Sequence, residues 1–185
     1  MVRAIVAVFV LFATAGPAGA GLITITFEDM PTPGPIGEFY AGLGVHFDAN
    51  WRMLDTPTQT WPSHSGEKLA YSIDDAGIIT FDAPVSYVSG WFTSSSNSSP
   101  SLCIEAYSAA DATGTLLASA GLPLPNPGSM IDLEVVALEI LSVKIHDNGN
   151  NFTMDDFTFG DPPVPEPAGI FLLGAFLVGL ALRRR

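Results

Sequence analysis

A single cysteine, Cys103, stands in the whole chain, so no intrachain disulfide forms and a paired-cysteine redox or zinc motif is excluded. Basic residues are almost as scarce. Of the seven, Arg3, Arg183, Arg184 and Arg185 sit at the ends, and only Arg52, Lys68 and Lys144 lie between. All 19 acidic residues fall between Glu28 and Glu166, giving that span a formal charge of −16. Such a surface repels phosphate backbones, so nucleic acid is not an expected partner. Catalytic signatures are missing too: no Gly-x-Ser-x-Gly elbow, His-Glu-x-x-His helix or phosphate loop occurs. His46, His64 and His146 lie on separate elements without metal-ligand spacing. A glycosidase needs two carboxylates flanking a cleft, whereas neighbours such as Asp74 and Asp75 point to opposite faces of a strand. The chain therefore reads as non-enzymatic, with a glycan hydrolase as the catalytic alternative.

Both ends read as processing or targeting segments. Arg3 is a short positive leader to the apolar run Ala4 to Ala15, and Ala18-Gly19-Ala20 offers the small residues a signal peptidase accepts. Residues 1–20 are thus expected to be a signal peptide cleaved after Ala20. The alternative, an uncleaved membrane helix, meets a run that is too short and broken at Gly16-Pro17.

The middle, residues 21–161, has the length of one domain and reads as β throughout. Leu22 to Phe27 alternates apolar residues with Thr, the period of a half-buried strand. Further strands are expected at Gly44–Phe47, Ile78–Phe81, Val85–Phe92, Leu102–Tyr107, Leu116–Ala118, Ile131–Val136, Leu141–Ile145 and Phe152–Phe159. Thr113-Gly114-Thr115 and Asp147-Asn148-Gly149 look like hairpin tips. Several short strands with frequent turn signals predict an all-β, antiparallel β-sandwich of jelly-roll type. Cys103, inside an apolar stretch, is expected as a small core residue.

Residues 162–185 form a different kind of segment. A Pro-rich linker carries Pro165-Glu166-Pro167, then residues 168–182 lack any charge and lead to Arg183, Arg184 and Arg185. As a helix those fifteen residues span about 22 Å, short of a hydrocarbon core of about 30 Å. Hydropathy alone allows an ordinary short transmembrane anchor. The order of parts, behind a signal peptide, resembles the PEP-CTERM sorting signal. That resemblance implies recognition by an exosortase, transient anchoring in the inner membrane through residues 168–182, and delivery to the cell surface or extracellular matrix. It covers about 22 residues and is silent on what the domain does.

Strand period puts Ile23, Ile25, Phe27 and Asp29 on one face, and Asp155, Phe157 and Phe159 on one face. If first and last strands pair antiparallel, Asp29 and Asp155 meet at one sandwich edge, both turned inward. Two such carboxylates repel unless one protonates or a cation binds, and calcium with its six to eight oxygen ligands fits. A register shifted by one substitutes Glu28 and Asp156. The arrangement resembles the structural calcium site of jelly-roll carbohydrate-binding modules, which implies one structural Ca2+ held by Glu28-Asp29 and Asp155-Asp156. The alternative is that these acids flank strands at a solvated end.

Trp51 and Trp61 fall in the polar stretch Asp48 to Gly66, too long for a tight turn. Exposed rings there would stack on sugars beside Asn50, Gln59 and Ser63; otherwise they fold back to cap the sandwich. The sequence thus predicts an exported carbohydrate-binding β-sandwich with polysaccharide as partner, or a structural or adhesive matrix module without a small ligand.

Overall fold

The computed structural model describes residues 21–162, which belong to one compact unit. The expected signal peptide and the sorting tail, including Pro165, Glu166, Pro167 and the terminal arginines, lie outside the described residues. Among the described residues, no helix is long and apolar enough to cross a membrane.

Ten strands follow in order: β1 (Gly21–Ile25), β2 (Gly34–Pro35), β3 (Val45–Phe47), β4 (Trp51–Leu54), β5 (Leu69–Ser72), β6 (Ala76–Ser94), β7 (Leu102–Tyr107), β8 (Leu116–Leu122), β9 (Ile131–His146) and β10 (Phe152–Asp161). One 3-10 turn, Ala41–Leu43, precedes β3 and closes on Gly44 in the left-handed region. Hydrogen bonding runs β2-β4-β5-β10-β6-β9-β7-β8, with β1 on β10 and β3 on β6, and every pairing is antiparallel. The all-β antiparallel expectation holds.

Two long strands make two layers of this sheet. Pairing of β6 with β9 is interrupted between Thr80 and Val85, where Asp82 to Pro84 are exposed, and Glu139 takes a positive φ of 62° across from it. The first half of β6 joins β3 and the second half of β9, which continues to β7. The second half of β6 joins β10 and the first half of β9. Sequence periodicity predicts four separate strands here, because an exposed corner with a proline looks like a loop; the structure shows two strands that bend. The core face changes parity at the corner, from Ile79 and Phe81 to Val88 and Phe92.

Between the layers lies one apolar core that includes Ile25, Phe27, Phe47, Trp51, Phe92, Ile104, Ile145, Phe157 and Phe159. Its aromatic rings meet mostly edge to face, as their quadrupoles favour, with Phe47 against Trp51 at 5.9 Å and 90°. Two sequence expectations change here. Asp147-Asn148-Gly149 is no hairpin tip, since β9 and β10 do not pair with one another. Cys103 is only half-buried, because Leu102, Ile104 and Ala106 take the core face of β7 and leave Cys103, Glu105 and Tyr107 on the outer one.

Candidate functional site

The segment from residue 55 to 68 joins β4 to β5 and lies along the outer face of the β5–β10–β6 layer. Acidic side chains hold it there. Glu28 Oε1 accepts hydrogen bonds from the Glu67 and Lys68 amides at 2.8 and 2.6 Å. Gly66 sits at φ +54°, and a Cβ there would collide with the Glu28 carboxylate, so this close approach requires glycine. Asp155 Oδ2 accepts the His64 and Ser65 amides at 2.8 and 2.9 Å, while its Oδ1 accepts the Asp156 amide at 2.7 Å. Asp156 takes the Ser65 hydroxyl on one oxygen and His64 Nδ1 on the other, both at 2.6 Å. The His64 ring then stacks on Trp91, centroids 3.6 Å apart and planes 9° from parallel.

First and last strands do pair antiparallel, with Ile25 opposite Phe157 and Ile23 opposite Phe159. The four acids nevertheless do not gather around one point. Asp155 lies opposite Trp91, on the outer face, while Phe157 and Phe159 face the core. A bulge between Asp155 and Thr158, with Asp156 at φ 46°, inserts one residue and breaks the parity that strand period assumes. Asp29 is exposed and accepts the Tyr40 hydroxyl at 2.6 Å. Burial, then the Asp29 carboxylate, raises the Tyr40 pKa, which keeps that donor protonated. Glu28, Asp29, Asp155 and Asp156 each accept hydrogen bonds from different partners. Asp155 is completely buried, and that burial outweighs its amide donors, leaving its pKa pushed up to about 6.

The two tryptophans part company. Trp51 is 0% exposed and belongs to the core, so it cannot present its ring to a ligand. Its place on β4 was hidden by the polar residues around it, although Trp51 and Met53 alternate with Arg52 and Leu54 as a strand should. Trp61 is half-buried and, with Leu54, Tyr71, Asn150, Phe152 and Thr153, lines an open cleft of about 370 Å³. Tyr71 and Thr153 are cross-strand partners on β5 and β10. A turn in which the Thr58 amide bonds the Trp61 carbonyl at 2.9 Å, and the Trp61 amide bonds Thr58 Oγ1 at 3.1 Å, fixes the indole's backbone. Asn50, Gln59 and Ser63 do not line this cleft; Asn50 and Ser63 bond the carbonyls of Ala76 and Gly66 instead. Tyr71 and Asn150 escape sequence reading because only the strand order brings them to Trp61.

A second hollow, about 300 Å³, is lined by Glu38, His46, Asp48 and Asp111 among others. His46 bridges Glu38 at 2.5 Å and Asp82 at 2.8 Å through its two ring nitrogens, and these hydrogen bonds raise its pKa. With both nitrogens bonded to carboxylates, neither is free to activate a hydroxyl, and the raised pKa favours the protonated ring that can donate to both.

No protein-family model matches the chain, and no curated protein matches it. Solved structures do resemble it. A cleaved adhesin domain of Lys-gingipain matches over 75% of this chain and 99% of its own, at 14% identity and a TM-score of 0.53. Another cleaved adhesin domain of Lys-gingipain, from Porphyromonas gingivalis, covers 77% of this chain and 99% of its own, at 12% identity and TM-score 0.48. A xylan-binding domain from Paenibacillus barcinonensis covers 78% and 96%, at 13% identity and TM-score 0.40. At such identities the likeness is one of fold, and the first of these shows it: the chain has a β-sandwich fold.

Proposed function

We propose that this chain is an exported, non-enzymatic protein of the cell surface or extracellular matrix whose β-sandwich binds polysaccharide in the cleft walled by Trp61 and Tyr71. The cleft itself carries the reading. Two aromatic side chains with polar tips line it with Asn150: Tyr71 on β5, and Trp61 on a loop fastened to the strands by Glu28 and the buried Asp155. An aromatic face matches the apolar C–H face of a pyranose ring, and an amide pairs with its hydroxyls. An acidic surface suits uncharged or cation-bridged glycans better than anionic ones.

An array of immobilised polysaccharides, including the exopolysaccharide of the organism that makes the chain, tests this. Saturable binding should weaken about tenfold in Trp61→Ala and in Tyr71→Ala, the worth of one aromatic stack. Equal binding by both variants would remove the cleft from consideration. The second reading, an adhesive matrix module without a small ligand, draws on exposed apolar residues along β9, where Val136 is 62% and Leu138 81% exposed. It gains if no polysaccharide binds.

Export and sorting belong to the same proposal, resting on the leader and on Pro165-Glu166-Pro167 with its apolar run and arginines. Replacing those three residues with alanines should trap the full-length chain in the membrane fraction, where an exosortase no longer acts on it. Undiminished surface delivery of the variant would reduce the tail to a plain anchor.

A further inference from the structure

We propose that Cys103, Glu105 and His146 form a binding site for a divalent transition metal of the zinc class on the outer face of β7 and β9. Cys103 and Glu105 are two residues apart on β7 and share a face, and His146 is the cross-strand partner of Cys103 on β9. Their thiol, carboxylate and imidazole donor atoms all lie within 4.8 Å of one another. Among the described residues this is the one such group of three. Thiolate, imidazole and carboxylate are the donors that zinc takes, whereas calcium takes oxygen only.

An independent observation points to a ligand. His146 Nε2 is buried and has no hydrogen-bond partner. It stands 3.5 Å from Glu105 Oε2, a contact whose geometry makes no hydrogen bond. That separation is close to the edge of a tetrahedron, about 3.4 Å, between two ligands each about 2.05 Å from one metal ion. A metal there would satisfy the orphaned nitrogen.

The surroundings fit such a site. The Tyr107 hydroxyl donates to Glu105 Oε2 at 2.7 Å and so fixes the carboxylate from behind. On the other flank, β8 places Gly121, which has no side chain, opposite Cys103 and Ser119 opposite Glu105, so a water beside Gly121 would complete the four ligands. Lys144 lies across from Glu105 as the opposing charge. Burial and then Glu105 hold the Cys103 thiol above its ordinary pKa, with Lys144 acting against them. A bound cation reverses that balance by taking the thiolate and releasing its proton. The site shares no residue with the Trp61 cleft, so it stands or falls apart from the polysaccharide reading.

Titration of the full-length protein with Co2+ in detergent tests the assignment. One ion per chain should bind with a near-ultraviolet thiolate-to-cobalt band, and Zn2+ should displace it. Cys103→Ser should abolish the band, and His146→Gln should weaken uptake by roughly tenfold or more. Tyr107→Phe should keep the band yet weaken binding roughly tenfold, as expected of a residue that only positions a ligand. Should Cys103→Ser misfold, protection of the native thiol from alkylation by Zn2+ decides the matter. A wild-type protein without the thiolate band, or with a thiol that zinc leaves equally reactive, overturns the proposal.

Discussion

Replacing Trp51 with alanine is expected to lower the unfolding free energy by about 3–5 kcal/mol, the range for emptying a buried aromatic site. The indole is 0% exposed and packs edge to face on Phe47 and Phe152, each at 5.9 Å. Gly77 lies directly beneath it, and a Cβ there would overlap the ring, so the neighbouring strand is already as close as it can come. Little collapse can refill the space. Domains of ordinary stability hold about 5–15 kcal/mol in all, so the loss should show plainly in a denaturant titration. Trp51→Phe offers a control with a definite sign. The indole Nε1 is buried without a hydrogen-bond partner, an arrangement that costs about 1–3 kcal/mol, and phenylalanine removes that donor while keeping an aromatic ring. It should therefore cost less than half as much as alanine. If Trp51→Ala unfolds within about 1 kcal/mol of wild type, the ring is not the buried keystone described, whatever its effect on binding.

That contrast between Trp51 and Trp61 marks how far the sequence could be read. Alternation named the β class and most strands, and it placed Phe157 and Phe159 on the core face, where they lie fully or almost fully buried. Antiparallel pairing of the first and last strands followed from fold type and is met residue by residue from Gly21–Asp161 to Ile25–Phe157. Three features resisted because each depends on contacts between distant segments. Trp51 sits in a polar, proline-rich stretch, and only the pairing of β4 with β5 turns it inward. The bulge after Asp155 costs one residue of register, which is enough to turn a carboxylate from the core face to the opposite one. Cys103 and His146 become neighbours solely because β7 lies beside β9, and no spacing within the chain signals it. Local chemistry was legible; cross-strand chemistry was not.

Asp155 carries the second large effect, and its signature is a pH dependence. The carboxylate is completely buried, with His64, Ser65 and Asp156 donating to its two oxygens. Burial raises its pKa from 3.8 to about 6, with the neighbouring Asp156 charge adding to the rise and the amide donors opposing it. A raised folded-state pKa stabilises the protein fully below the unfolded value and loses that stabilisation as pH climbs through the folded one. Between pH 4 and pH 7 the native state should therefore lose roughly 2 kcal/mol through this group, the larger part of a 1.36 kcal/mol per pKa unit effect that begins below pH 4. Asp132, Asp147 and His46 are shifted upward as well, and the acidic surface repels itself more as it ionises, so all add slope of the same sign. Asp155→Asn isolates the contribution: its unfolding free energy should fall by roughly 2 kcal/mol less than wild type over the same pH range. The amide also sets an NH2 against at least one backbone donor, so the segment from His64 to Lys68 should loosen, and the His64 and Ser65 amides should exchange hydrogen faster. Because the same segment positions Trp61, the polysaccharide binding proposed for its cleft should weaken along with that protection. Parallel pH profiles for the two proteins would mean that Asp155 titrates as a solvated carboxylate, and that it does not hold the loop.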